Sequence, residues 1–255
     1  MLLEIDIGNT NISLGVFDRD KLMASWRIYT DVHRQADEYA VILMNLLSYK
    51  GFSRSDVADV VMCSGVPPLV TTFDDVSRRY FGVTPLNVAV GVKSGIRIHY
   101  ENPREVGADR VADAVAAFRL YGGPVIVVDF GTATVFDAVS KDGDYLGGAI
   151  APGIMIAAEA LFERAAMLPR IGLSRPKQAI GRNTVSSMQS GMIFGYVGLV
   201  EGMVARFQQE LGGNAKVIAT GGLAEVIASE TPVIDTVDQD LTLVGLRFIY
   251  EANQH

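Results

Sequence analysis

Two short segments of this chain combine a carboxylate with a glycine turn in a pattern suited to phosphate chemistry. Ile5-Asp6-Ile7-Gly8-Asn9-Thr10-Asn11-Ile12 stands near the start, and Val128-Asp129-Phe130-Gly131-Thr132-Ala133-Thr134-Val135 stands about half a chain later. In each, an apolar strand ends on aspartate, glycine follows two residues on, and small polar residues lead into a second strand. Glycine lets the backbone turn tightly and approach a ligand, and successive N–H groups in such a turn make a concavity for phosphate oxygens. Asn9, Thr10, Asn11 and Ser13 add side-chain donors. Asp6 suits magnesium, directly or through water, because this cation takes few protein carboxylates. One copy alone is an ordinary hairpin turn rich in Gly, Asn and Thr. Two copies in a matching strand order point to the phosphates of a nucleotide, and so to phosphoryl transfer.

Three further segments carry chemistry or close packing. Thr220-Gly221-Gly222-Leu223-Ala224 follows an apolar strand and opens a helix, a turn on which a flat adenosine can lie, though such turns are common in α/β proteins. In Glu105-Val106-Gly107-Ala108-Asp109-Arg110, placed on an expected helix, Gly107 costs about 1 kcal/mol relative to alanine and suggests close approach by a ligand or backbone. Asp109 can accept a proton from a substrate hydroxyl, and Arg110 can clamp a carboxylate. The same residues, with Asp113 one turn on, also fit a solvated ion-pair set. Gly147 to Gly153 has almost no side-chain bulk, which suits either a pocket lined by backbone amides or a tight core crossing.

The elements that must position these residues are legible. Strands are expected at Leu2–Ile7, Ile12–Phe17 and Leu22–Ile28, then a helix Asp37–Tyr49, a strand Val57–Cys63 and a helix Leu69–Tyr80 ending at Gly82. The second half repeats the order: Val125–Asp129, Val135–Val139, Tyr145–Ile150, helices Ile154–Arg164 and Thr184–Leu211, strand Lys216–Ala219, another helix, and a last helix Leu241–Glu251. This implies an α/β fold of two similar mixed-sheet domains, residues 1–115 and 116–255, joined by a helix over Glu105–Tyr121. Gly191, Gly195, Gly198 and Gly202 share one face of the long helix, which predicts close packing in the core or at a two-fold subunit interface.

Bulk properties narrow the class. The 255 residues carry a formal net charge of −7 and 49% hydrophobic residues, with a mean hydropathy of +0.25 and a pI near 5.0. With no Lys/Arg run, nucleic acid is not expected as a partner. One cysteine, Cys63, excludes an internal disulfide and a thiolate zinc cluster. The scattered His33, His99 and His255 have no metal-ligand spacing. Neither a signal peptide nor an apolar membrane span is legible, so a soluble cytoplasmic protein is expected.

Taken together, Asp6-Ile7-Gly8-Asn9-Thr10, Glu105-Val106-Gly107-Ala108-Asp109-Arg110, Asp129-Phe130-Gly131-Thr132-Ala133-Thr134, Gly148-Ala149-Ile150-Ala151-Pro152-Gly153 and Gly181-Arg182-Asn183-Thr184 resemble the type III pantothenate kinases. That family belongs to the actin-like, sugar-kinase-like and Hsp70-like ATPase superfamily, and the likeness covers nearly the whole chain. It implies a ribonuclease H-like fold with ATP in the cleft between two lobes, and ATP-dependent phosphorylation of pantothenate, the first step toward coenzyme A. By the resemblance, Asp6, Ile7, Gly8, Asn9, Thr10, Asn11, Ile12 and Ser13 form the first phosphate loop, and Thr132 contacts ATP from the second. Asp109 is the proton acceptor. Tyr100, Gly107, Ala108, Arg110 and Thr184 line the pantothenate pocket. Asp129 holds potassium or ammonium, Mg²⁺ accompanies ATP, and the protein is a homodimer. One departure is Val135, where the family's pattern suggests threonine; it is expected to face the strand interior.

Overall fold

Leu3, Ile5 and Ile7 alternate along the first strand with Leu2, Glu4 and Asp6, so one face is wholly aliphatic and the other ends in carboxylates. The computed structural model describes residues 1–89 and 91–254, so His255 lies outside it. Strands β1 (Leu2–Ile7), β2 (Asn11–Asp18) and β3 (Lys21–Tyr29) form an antiparallel meander. β4 (Asp59–Ser64) joins parallel to β1, and the two-residue β5 (Leu86–Asn87) joins parallel to β4. The aliphatic face is covered by α1 (Ala36–Tyr49) and α2 (Pro67–Val76), whose Tyr39, Leu43, Leu47, Leu69 and Phe73 are buried against Leu3, Ile5, Ile7, Ile12 and Leu14. Fully burying each such side chain is worth about 1.5–3 kcal/mol. Past α2, Ser77–Phe81 widens into a π turn and stops at Gly82, whose φ of 72° is the left-handed conformation that ends a helix.

The second sheet repeats the plan. Its strands are β6 (Val125–Phe130), β7 (Ala133–Val139), β8 (Tyr145–Pro152), β9 (Lys216–Thr220) and β10 (Thr236–Val237). The orders are β3-β2-β1-β4-β5 and β10-β9-β6-β7-β8, so each sheet is an antiparallel meander extended by two parallel strands. Around the second sheet lie α4 (Ile154–Arg164), α5 (Thr184–Glu210) and the short α6 (Ala224–Ala228). Its core includes Val128, Phe130, Phe136, Ile154, Tyr196, Val200 and Ile227. Among the described residues no helix is long and apolar enough to cross a membrane.

The chain divides into one unit of Met1–Ile96, Glu101–Ala116 and Asp240–His255, and another of Arg97–Tyr100 and Ala117–Gln239. Helix α3 (Ala108–Tyr121) runs from the first into the second. The last helix, α7 (Leu241–Ala252), lies within the expected second domain, residues 116–255, by its place in the sequence. It packs instead on β1, β2 and β4 of the first. Its Gly245 also lies tight against α3, where a Cβ would collide with the backbone of Ala112.

Two glycine expectations change. Gly107 precedes α3 and does not interrupt it; a separate 3₁₀ turn, Pro103–Glu105, occupies the start of the expected helix. In α5, Gly191, Gly195 and Gly198 are exposed, and a Cβ on any of them would meet nothing within 4 Å. The core alternative is therefore excluded for these three, while Gly202 is half-buried beside Arg206.

Candidate active site

In the first unit the β1–β2 hairpin is tied down at three points. Gly8 N–H donates to the Asn11 carbonyl at 3.0 Å, and a Cβ on Gly8 would sit 2.9 Å from that oxygen. The Thr30 hydroxyl donates to the Gly8 carbonyl at 2.7 Å. Gly65 N–H, just past β4, donates to the Ile7 carbonyl at 2.9 Å. Asn9, Thr10 and Asn11 are left exposed at the tip, while Ile12 turns into the core and Ser13 is half-buried. Ile7 is fully buried, so any phosphate contact there falls to its backbone.

Asp6 is half-buried at the end of β1, in register with Ser13 on β2 and Cys63 on β4. The Cys63 thiol donates to Asp6 Oδ1 at 3.2 Å. Burial, and then the negative charge of Asp109, push the Asp6 carboxyl up from 3.8 to about 7; the Cys63 bond and the charge of Arg27 oppose this. Burial also drives the Cys63 thiol well above its ordinary value. The charge of Asp109 thus acts on Asp6, although 103 positions separate them in the chain. Sequence reading missed Cys63 altogether. Its only local signal is its place at the end of a buried strand.

Asp109 stands exposed in the first turn of α3, where a carboxylate complements the helix dipole. Its Oδ1 accepts from the Arg110 N–H at 2.9 Å. Gly107 leaves room for the Asp109 carboxylate in this rotamer: a Cβ would strike Asp109 Oδ1. Ala108 and Arg110 are half-buried on either side of Asp109.

In the second unit the β6–β7 hairpin has Gly131 N–H donating to the Ala133 carbonyl at 3.0 Å. Asp129 is half-buried, its Oδ2 lies 3.2 Å from where a Gly131 Cβ would stand, and Thr132 is exposed at the tip. Gly221, at φ 91°, has no room for a Cβ against Asp129 and the Phe130 backbone, so the Thr220-Gly221-Gly222 turn lies directly on this hairpin. Gly153 N–H donates to the Thr132 carbonyl at 3.1 Å, and a Cβ on Gly153 would strike that oxygen. The Gly147–Gly153 segment thus contains a tight backbone crossing at its end. Val135 is in register with Asp129 and shares its sheet face, contrary to the expectation that it points inward; Thr134 and Phe136 take the core side.

Tyr100 belongs to this unit because a parallel bridge between Ile98 and Tyr145 holds its segment to β8. Its ring is tilted 50° to that of Tyr145 at 6.4 Å, and lies 3.5 Å from the Cβ position of Gly147. Thr184 is exposed at the first position of α5. Asn183 caps that helix, its side chain accepting from Ser186 N–H at 2.9 Å, which accounts for the Asn of the Asn183-Thr184 pair. The expected site residues thus fall in both units: residues 6–13 and 107–110 in the first, Tyr100, Asp129, Thr132 and Thr184 in the second.

Among the described residues no three His, Cys, Asp or Glu side chains form a metal cluster. A magnesium ion carried by ATP does not need one, since one or two carboxylates and the phosphates suffice. Asp6 fits that task, because a carboxylate whose charge is disfavoured by burial and by Asp109 gains from a nearby cation.

A sequence model of the family described as type III pantothenate kinase matches residues 2–206. A type III pantothenate kinase from Moorella thermoacetica is 54% identical over 253 residues, covering 99% of this chain and all of that one. Another, from Dehalococcoides mccartyi, is 52% identical over 99% of this chain and 96% of its own length. Among solved structures, a putative Baf family transcriptional activator from Campylobacter jejuni superposes with a TM-score of 0.62 at 18% identity, covering 98% of each chain. At that identity the likeness speaks for the fold alone, which an acetate kinase from Entamoeba histolytica shares at a TM-score of 0.54 and 10% identity. On the match over most of its length and on these full-length relatives, the chain belongs to the type III pantothenate kinase family.

Proposed function

We propose that this protein transfers the terminal phosphoryl group of ATP to the primary hydroxyl of pantothenate, giving 4′-phosphopantothenate at the start of coenzyme A synthesis. The observation that carries the reading is the pairing of the glycine-turn carboxylate Asp6 with Asp109 in one unit of a chain from this family. Residues Asp6 to Ser13 supply backbone and side-chain donors to the phosphates, and Thr132 supplies another from the second hairpin. Magnesium bound with ATP would neutralise charge on the phosphate oxygens, with Asp6 holding it. Asp109 accepts the proton of the attacking hydroxyl. Tyr100, Gly107, Ala108, Arg110 and Thr184 orient pantothenate, with the Arg110 fork on its carboxylate. Transfer is direct, without a phosphoenzyme, and positioning and electrostatics supply most of the acceleration.

Asp129 serves a monovalent cation, potassium or ammonium. What supports this is its carboxylate packed against the Gly131 and Gly221 turns, a hard oxygen donor of the kind such cations take. The protein works as a homodimer in the cytoplasm. The dimer is supported by exposed apolar residues in the second unit, Ile150, Met155, Ile156 and Phe162, and by the open space over Gly191, Gly195 and Gly198 of α5.

The deciding experiment is ADP release with ATP and magnesium, with and without pantothenate, in potassium and then in sodium buffer. Turnover that needs both pantothenate and potassium supports the whole reading. Absence of pantothenate-dependent turnover in potassium or ammonium refutes it.

A further inference from the structure

Four polar residues stand in one line across the first sheet. Asp6 on β1 is in register with Ser13 on β2 and with Cys63 on β4, and Ser13 is in register with Arg27 on β3. Residues directly opposite one another leave the same face of a sheet. Arg27 is fixed on that face by its neighbours, because Trp26 and Ile28 pack against the aliphatic core on the other side. Arg27 is exposed. At about 4.8 Å per strand its Cα lies about 10 Å from that of Asp6, which the length of an arginine side chain can bridge. Its charge is felt at Asp6, where it opposes the effects of burial and of Asp109.

This line has a chemical consequence for phosphoryl transfer. Asp6 and Asp109 set two carboxylates where the negatively charged terminal phosphate must arrive. Without a fixed cation on the protein, that face repels the group it has to hold. Guanidinium is the side chain best suited to the task, since its planar fork matches two phosphate oxygens and it keeps its charge at any working pH. A lysine would supply charge without the fork.

We propose that Arg27 contacts the terminal phosphate of ATP, holding it beside Asp6 and stabilising the transferring phosphoryl group. The inference rests on the kinase reading above and adds a residue outside both glycine turns and outside the Asp109 segment.

The test uses the full-length protein and the variants Arg27→Gln and Arg27→Lys. Steady-state kinetics separate kcat, the KM for ATP and the KM for pantothenate; calorimetric titration compares ATP and ADP binding in magnesium. For Arg27→Gln the expected result is a fall of about 100–1,000-fold in kcat/KM for ATP, the range found when a donor to developing charge is removed. The pantothenate KM should stay within about threefold, the melting temperature should be unchanged, and Arg27→Lys should recover only part of the loss. ATP should lose affinity while ADP, which lacks the terminal phosphate, binds as in the wild type. Added guanidinium ion at millimolar concentration should restore part of the Arg27→Gln rate. Retention of kcat/KM for ATP within about threefold, a change confined to the pantothenate KM, or equal losses for ATP and ADP each overturn the proposal. If the wild type itself shows no pantothenate-dependent turnover, the kinase reading fails, and the ATP–ADP comparison still decides the role of Arg27.

Discussion

Replacing Asp6 by asparagine should make the free protein more stable at neutral pH while destroying its activity. The carboxyl is pushed up from 3.8 to about 7 in the folded state, by burial first and by Asp109 second. Below pH 4 both folded and unfolded chains hold the proton, and the group contributes no difference. As pH rises from about 4 to 7 the unfolded chain ionises freely while the folded one resists, so the folded state binds more protons and loses stability. At about 1.4 kcal/mol per pH unit, the interval from 3.8 to about 7 sets a ceiling of about 4 kcal/mol. Asp6 is half-buried, and solvent screening brings the expected value to about 2–3 kcal/mol. Asparagine keeps an oxygen to accept the Cys63 thiol and carries no charge for burial or Asp109 to oppose. The assay is urea denaturation of both proteins in EDTA, without nucleotide, from pH 4 to pH 8. The gain of Asp6→Asn over wild type should be near zero at pH 4, grow through pH 5 and 6, and level off above about pH 7. An equal gain at every pH, or none at pH 8, would show that the Asp6 charge is not strained in the fold, and would remove the structural reason for assigning it a cation.

Asp109→Asn should lower kcat by about 100–10,000-fold while nucleotide binding is largely kept, as for loss of a general base; near-normal turnover by the ADP-release assay would exclude that role. Asp129→Ala should abolish activation by potassium, read as identical rates in potassium and sodium buffers, and preserved potassium dependence would place the cation elsewhere. Thr134→Val should stabilise the protein by about 1 kcal/mol in urea titration, because the buried Thr134 hydroxyl has no hydrogen-bond partner among the described residues; a loss of 1 kcal/mol or more would show that the hydroxyl is satisfied after all. Gly245→Ala should cost about 1–3 kcal/mol, since the added methyl meets the Ala112 backbone, and a change within 0.5 kcal/mol would contradict the close approach of α7 and α3.

What could be read from the sequence was whatever is decided locally. The hairpins were legible because a strand ending on aspartate, a glycine two residues later and a new strand all lie within ten residues. Helix α4 was legible to the residue, Ile154–Arg164, since its entry from Gly153 and its apolar spacing are both local. The two-residue strands β5 and β10 were not, because they carry no periodicity and exist only as parallel additions to β4 and β9. Nor was the placement of α7: its apolar face specifies burial against a sheet but not which of two similar sheets, and the Gly245–Ala112 contact that helps to seat it joins residues 133 positions apart. The bond from Cys63 to Asp6 was hidden for the same reason, being fixed by the parallel register of β1 and β4.

The glycines make the physical point most sharply. Sequence spacing predicted crowding at Gly191, Gly195 and Gly198 and strain within a helix at Gly107. Crowding is found instead at positions that include Gly245, Gly153, Gly181 and Gly221, and at Gly107 against Asp109 just before the helix, while the three α5 glycines face open space. A glycine costs a helix about 1 kcal/mol wherever it stands, so the stripe still calls for an explanation that one chain does not supply. The exposed Met155, Ile156 and Phe162 on α4 of the same unit indicate where that explanation lies. In the proposed homodimer a second copy of the chain would cover exposed surface of this kind. In the proposed dimer the stripe glycines would serve assembly, whereas Gly107 and Gly221 stand against the carboxylates of the proposed site, Asp109 and Asp129.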